Sequence, residues 1–462
     1  MPILRILNPA TEEVIRELDE DDAESLAPKT AAARAAQPGW ACRPIEDRLR
    51  IVRRFGELLA ARRESLAATL TAEMGKPIRQ ARNELTAMEG RIGFFLEHTE
   101  RAVSDEVVHQ SPGPAALEER IRYEPLGVVA NISAWNYPYF VGSNVFLPAL
   151  LTGNAVLYKP SEHATLTGLA IADLLYEAGV PRDVFVPVVG AGDAGRALLA
   201  QDIDAVFFTG SYATGRKIAE AVAPKLVRVQ LELGGKDPAY VCDDVQIAGA
   251  AAAVAEGAFY NAGQSCCAVE RVYVHRRIAD AFTEAFVAAV REYVVGDPTD
   301  ERTYIGPLAR QEQLAVLEDQ VADAVRLGAR LELGGARRRE GPGFYFMPTV
   351  LTGVDHRMKV MREESFGPII GIQKVDDDAE AIALMNDTEY GLTAAVYTPD
   401  GARAERILAR VNAGTVYWNC CDRVSPRLPW TGRKHSGIGT TLSIAGIRAF
   451  VQPKAWHLRC EC

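Results

Sequence analysis

The chain has 462 residues, 48% hydrophobic and 24% charged, with a formal net charge of −10. Those proportions exclude a disordered chain, and the acidic balance without a Lys/Arg block argues against a nucleic-acid-binding surface. No apolar run approaches ~20 residues, so no membrane span is expected, and the length suggests about three domains.

The start, MPILRILNPA, lacks a basic leader and a long apolar stretch, so it is not read as a signal peptide. Residues 19–110 read as helical. Apolar residues recur at helical spacing in LRIVRRFGELLAARRESLAATLTAEM, and Gly75 and Pro77 end that run. A polar break follows at Ser111-Pro112-Gly113-Pro114.

From residue 121 short apolar runs alternate with amphipathic stretches. The order is GVVANIS, a helix near 138–151, NAVLYKP, LTGLAIADLLYEAG, DVFVPVVG, a helix near 193–201, DAVFFTG, a helix near 213–222 and RVQLELGG. Such βαβα order predicts a parallel sheet covered by helices. A second series runs from Pro238 to about residue 420, with PAYVC, a helix over 246–261, ERVYVH, a helix over 278–293, ARLELGG and AAVYT. IRAFVQPKAWHLR reads as a closing strand. The predicted class is α/β, with two α/β domains and a small β element.

Eight cysteines in this length do not make a disulfide scaffold. No CxxC or HExxH occurs, so no metal site is predicted, and the expected compartment is the reducing cytoplasm. Cys460 and Cys462 read as a frayed tail.

Three glycine or strand-end features bear on nucleotide binding. Gly190-Ala191-Gly192-Asp193-Ala194-Gly195 matches G-x-G-x-x-G, but Phe208, Thr209, Gly210 and Ser211 stand where a ribose-binding acid is expected. It reads as a tight strand–helix turn. Phe208-Thr209-Gly210-Ser211 also lies between strand and helix, where small residues and free amides suit a pyrophosphate. Lys159, Ser161 and Glu162 end a strand, where ligands of open parallel sheets sit, although a solvated strand end reads the same way.

The sharpest local feature is Asn261-Ala262-Gly263-Gln264-Ser265-Cys266-Cys267. A cysteine after such a turn can be an exposed thiolate, or a small buried hydrophobe. Glu232, in Leu231-Glu232-Leu233-Gly234-Gly235, is a carboxylate in an apolar strand, which is expensive to bury without purpose; an ion pair is the alternative. Asn136, in Trp135-Asn136-Tyr137-Pro138, could aim its amide at an oxyanion or cap a helix. Together they supply a nucleophile, a base and an oxyanion donor for aldehyde oxidation through a thioester.

With Lys159-Pro160-Ser161-Glu162, Glu363-Glu364-Ser365-Phe366-Gly367-Pro368, and Asn386 with Tyr390-Gly391-Leu392, these motifs resemble the NAD(P)-dependent aldehyde dehydrogenase superfamily in order. The resemblance implies a discontinuous Rossmann-like cofactor domain over 1–112 and 127–235, and a catalytic α/β domain over 236–437. It also implies an oligomerisation β element over 113–126 and 438–462, hence a homodimer or homotetramer. Cys266 would be the nucleophile, Glu232 the base for the deacylating water, and Asn136 the oxyanion donor. NAD, with NADP as the other cofactor in the family, would be held by Trp135, Lys159, Ser161, Glu162, Gly210, Ser211, Glu364 and Phe366. Glu162 favours NAD, because a carboxylate at the ribose 2′-OH repels a 2′-phosphate. Cys267 would not replace Cys266.

The loop Pro429-Trp430-Thr431-Gly432-Arg433-Lys434-His435-Ser436-Gly437 departs from the usual P-F-G-G-x-K-x-S-G. The implied substrate funnel includes Tyr137, Tyr260, Arg423 and Trp430, with Phe140, Val141, Asn144, Ser265, Cys267 and Val424. Arg423 or Arg427 could pair with a substrate carboxylate, as in succinic semialdehyde, and the chain's length is similar to that of bacterial succinic-semialdehyde dehydrogenases. A neutral aldehyde, or CoA-acylating chemistry, is the alternative. Glu232 speaks against the latter, because CoA-acylating members commonly lack that glutamate.

Overall fold

Fully buried, near-continuous apolar runs such as Val128–Ile132 and Ala155–Lys159 are what a parallel strand covered on both faces requires. In the computed structural model, which describes residues 2–111 and 116–459, both lie inside one six-stranded sheet. Its order is Gly437–Ile438, Arg228–Glu232, Ala205–Thr209, Val128–Ile132, Ala155–Lys159, Phe185–Pro187. All neighbours are parallel except the edge pair Gly437–Ile438 with Arg228–Glu232. The chain builds outward from Val128–Ile132 to one side, then crosses back to Ala205–Thr209 on the other. That reversal creates a crevice at the carboxyl ends of these two strands, where ligands of open α/β sheets bind.

The second sheet has seven strands, in the order Arg330–Leu333, Thr349–Thr352, Ile369–Val375, Val269–His275, Asp237–Val241, Thr393–Tyr397, Thr415–Trp418. Only the edge strand Arg330–Leu333 runs antiparallel. A three-stranded antiparallel sheet joins Glu106–Ser111, Leu117–Pro125 and Val451–Arg459, with Val451 opposite Pro125 and Arg459 opposite Leu117. Among the described residues no helix is long and apolar enough to cross a membrane.

The helical reading of 19–110 holds for the four helices between Ala23 and Val103 and fails at both ends. Asp19 closes the strand Val14–Asp19, and Glu106–Ser111 pairs with Leu117–Pro125. There the β-branched Val107–Val108 and a pairing partner outweigh the helical texture upstream. DVFVPVVG contributes only Phe185–Pro187, since Pro187 cannot donate to a ladder. The closing strand starts at Val451, because Ser443–Arg448 is a short helix that buries Ile447. The Phe450 ring, which follows it, stacks on Phe207 with centroids 4.2 Å apart. The break at Pro112–Pro114 and the Cys460 and Cys462 tail lie outside the described residues.

Candidate active site

The helix Ile247–Phe259 ends in a tight turn where Asn261, Ala262 and Gly263 all take positive φ (55°, 56°, 70°). A β-carbon on Gly263 would collide with the Gly367 carbonyl, so only glycine fits. Such over-determined strain is typical of functional sites, and it delivers Cys266, half-buried, to the wall of a cavity of about 700 Å³. Cys267 is 3% exposed and its Sγ donates to Asp422 Oδ1 at 2.8 Å. Its interaction with the Cys266 thiol, then burial, then the Asp422 charge push the Cys267 thiol well above its ordinary value. Cys267 therefore stays a thiol, and of the adjacent pair Cys266 has the sulfur suited to attack.

Asn136 follows the strand Val128–Ile132 at the crevice. It is 3% exposed, and its Nδ2 donates to Gln264 O at 3.2 Å, while Asn261 Nδ2 donates to Asn136 O at 3.3 Å. The amide is thus tied to the turn that presents Cys266, and an amide has a second donor to give. It is not a helix cap. The first amides of the helix Pro138–Leu151, Tyr139 and Phe140, donate instead to Glu84 Oε1 at 2.9 and 3.3 Å. Glu84 in turn forms a buried ion pair with Lys76.

Glu232 ends the strand Arg228–Glu232, and its Oε1 accepts from Thr441 Oγ1 at 2.6 Å and Gln230 Nε2 at 3.0 Å. Burial raises its pKa to about 7, against the pull of hydrogen bonds from Thr441, Trp430 and Gln230 and of the Arg91 charge. A carboxyl poised near neutrality is suited to general-base work. Glu232 and Asn136 do not line the large cavity, whereas Cys266 and Trp430 do. The turn after Glu232 nonetheless meets the nucleophile loop: a β-carbon on Gly235 would lie 2.8 Å from Cys266 O.

On the other side of that turn, Glu364 Oε1 accepts from Gly235 N at 3.0 Å, and a β-carbon on Gly234 would strike the carboxylate. Burial, reinforced by the Glu270 charge, raises the Glu364 pKa to about 8. Phe366 sits edge-on to Trp135, with centroids 5.5 Å apart. This segment is fixed by a buried ion pair that the sequence reading missed, Lys236 with Glu270 at 2.7 Å. Glu270 accepts from Ser365 N and Phe366 N at 2.8 and 2.9 Å, and Lys236 donates to Ser365 Oγ at 2.9 Å. The available signal was a charge inside the apolar strand VERVYVH.

Lys159, 4% exposed, donates only to Pro160 O at 3.3 Å and makes no salt bridge among the described residues. Burial lowers its pKa while Glu162 and Glu20 oppose that change. For Glu162, burial works upward but the Lys159 charge leads the groups that hold it below its ordinary value. Ser161 Oγ donates to Glu162 Oε2 at 3.1 Å. An ammonium with spare donors beside a carboxylate acceptor fits ribose hydroxyls. Ser211 is the N-cap of the helix Tyr212–Val222, and Gly210 N donates to Glu232 O at 3.0 Å. In the Gly190–Gly195 loop the Ala191 amide is already taken by Glu20 Oε2 at 3.1 Å, and Gly190 packs too close to Ala194 for any side chain. That loop packs tightly against its own helix, whereas a pyrophosphate at the Gly210–Ser211 turn would face the N-terminus of the helix Tyr212–Val222.

Tyr137, Tyr260, Arg423 and Trp430 all line the cavity. Arg423 and Arg427 are exposed at its rim. The sequence reading overlooked Arg91, Asp422, Cys420 and Cys421 in the same wall. Asp422 is a half-buried carboxyl raised to about 6 by desolvation, which its hydrogen bond from Cys267 opposes.

The aldehyde dehydrogenase family model matches residues 2–456. A putative succinate-semialdehyde dehydrogenase, NADP(+) type, from Mycolicibacterium smegmatis is 39% identical over 434 residues, covering 93% of this chain and 84% of that protein. A betaine aldehyde dehydrogenase from Mesorhizobium japonicum is 38% identical over 463 residues, covering 98% and 93%. The crystal structure of an NAD-dependent aldehyde dehydrogenase from Sinorhizobium meliloti superposes with a TM-score of 0.95 at 35% identity, covering 99% of this chain and 91% of that one. With its family matched from end to end and its crevice so furnished, the chain belongs to the aldehyde dehydrogenase family.

Proposed function

We propose that this aldehyde dehydrogenase oxidises its substrate to a free acid, with Cys266 as nucleophile, Asn136 as oxyanion donor and Glu232 as hydrolytic base. The observation that carries the hydrolytic reading is Glu232, buried at the turn that touches the Cys266 loop with its pKa raised to about 7. The Cys266 thiolate adds to the aldehyde carbonyl, and the Asn136 amide hydrogen-bonds the alkoxide. NAD would be held by Lys159, Ser161 and Glu162 at its ribose, Gly210 and Ser211 at its pyrophosphate, and Trp135, Glu364 and Phe366 at its nicotinamide end, and when bound it would accept the hydride that leaves the former aldehyde carbon. The acyl group is left on Cys266 as a thioester. Glu232 then takes a proton from water, whose hydroxide displaces the Cys266 thiolate and releases the acid.

The two named relatives point to opposite substrate charges, so the cavity must decide. Arg423 and Arg427 at its rim favour the approach of a carboxylated aldehyde such as succinic semialdehyde. Tyr137, Phe140, Val141 and Trp430 favour a neutral chain as the second reading. The cofactor domain of this reading is 1–112 with 127–235, the catalytic domain is 236–437, and 113–126 with 438–462 form the oligomer contact. The edge strand Val451–Arg459 with exposed Leu458, and exposed Val107 and Val108 on the opposite edge, support a homodimer or homotetramer. A catalytic thiol is best kept in a reducing cytoplasm.

Incubation with aldehyde and NAD is expected to form NADH and free acid without CoA, and more slowly with NADP. Turnover that requires CoA would exclude hydrolysis. Asn136→Ala is expected to lower kcat ~10²–10³-fold; a fall under about fivefold would remove Asn136 from the oxyanion site.

A further inference from the structure

Arg91 lies on the helix Ile78–Val103, on the face whose Gln80, Glu84 and Ala87 also border the cavity. It is 4% exposed. Desolvating a guanidinium is strongly unfavourable unless a carboxylate compensates it. Yet among the described residues Arg91 forms no salt bridge. The carboxylates that act on its charge are Glu84 and Glu232. Glu84 is committed to Lys76 and to the Tyr139 and Phe140 amides, and Glu232 to Thr441 and Gln230. Arg91 has only the neutral Asn144, to whose Oδ1 its Nη1 donates, and the Phe140 ring, 4.3 Å away under its guanidinium. Its Nε is buried with no partner. Asn144, Phe140 and Arg91 itself line the same cavity as Cys266. The result is a buried guanidinium held in orientation in the wall of the cavity that forms no ion pair among the described residues.

We propose that Arg91 is the specificity-determining residue: it binds a carboxylate at the end of the aldehyde remote from the carbonyl, which makes the substrate a semialdehyde. The inference rests on the aldehyde-oxidising reading above and moves the ion pair from the rim to the interior. A buried, pre-oriented guanidinium suits bidentate carboxylate binding, whereas Arg423 and Arg427 are exposed and screened. The same charge repels a quaternary-ammonium aldehyde.

The test compares succinic semialdehyde with butanal, with NAD as cofactor, in the parent chain and in Arg91→Met. The parent is expected to prefer the semialdehyde. In Arg91→Met the ratio of kcat/KM values, semialdehyde over butanal, is expected to fall on the order of 10²-fold, chiefly through KM. In the parent, succinate is expected to inhibit butanal oxidation competitively and butyramide not to, a result that needs no variant. Equal parental activity on both aldehydes without succinate competition would overturn the inference and leave aldehyde oxidation standing. A ratio that falls in Arg423→Ala or Arg427→Ala but holds in Arg91→Met would overturn it too. So would an equal loss on both aldehydes with a shifted acid limb of kcat, which would make Arg91 a positioning residue for Glu232. Absence of NADH from every aldehyde would defeat the underlying reading instead.

Discussion

Cys266→Ala is expected to abolish NADH formation, with a loss on the order of 10⁴-fold or more, because the variant lacks the proposed nucleophile. Cys267→Ser is expected to keep turning over. The contrast is the informative part, since the two sulfurs are neighbours in sequence and differ only in what surrounds them. Cys267 is buried and hydrogen-bonded to Asp422, which holds its proton in place. Cys266 is half-buried at the cavity wall, on a turn whose three consecutive positive-φ residues fix its direction. Steady-state rates of the two variants check this, with NAD binding measured in parallel to show that each folds. Full activity in Cys266→Ala would assign the chemistry elsewhere.

Glu232→Gln is expected to separate the two halves of the reaction. Acylation needs the thiolate, the oxyanion donor and NAD as hydride acceptor but not the base, so a burst of NADH close to one per site should survive. Deacylation needs the base, so the following steady rate should fall ~10²–10⁴-fold. The parent should show an acid limb in kcat near pH 7, where Glu232 titrates, and the variant should lose that limb. The sign follows from the burial that raises the pKa: the base is protonated and idle below about 7 and active above it. Linkage runs the opposite way for stability. Because the folded value lies above the ordinary 4.5, this group's favourable contribution is complete below 4.5 and is lost as pH rises through about 7. Stopped-flow and pH-dependent steady-state kinetics check both points.

The chain advertises its strands and its three proposed reacting groups for the same reason. A buried parallel strand must be apolar throughout, so Val128–Ile132 and Ala155–Lys159 stand out, and Glu232 at the end of such a run stands out against it. The supporting pairs are harder to see. Lys76 with Glu84, and Lys236 with Glu270, are each brought together by tertiary packing, and nothing local says that those charges are buried. Glu84 reads as an ordinary helix carboxylate until the Tyr139 and Phe140 amides are found on it. Arg91 was hidden in the same way, as one arginine on a helix of mixed polarity. The strand Glu106–Ser111 was missed because its partner, Leu117–Pro125, decides its conformation.

In the proposed reaction the substrate's acyl group rests on Cys266 before water removes it. The most direct measurement is fragmentation mass spectrometry of Glu232→Gln, quenched after mixing with NAD and succinic semialdehyde or butanal. One acyl adduct, of the mass of the corresponding thioester, is expected on Cys266. An adduct confined to Cys267, or an unmodified Cys266 in protein that has formed its burst of NADH, would contradict it.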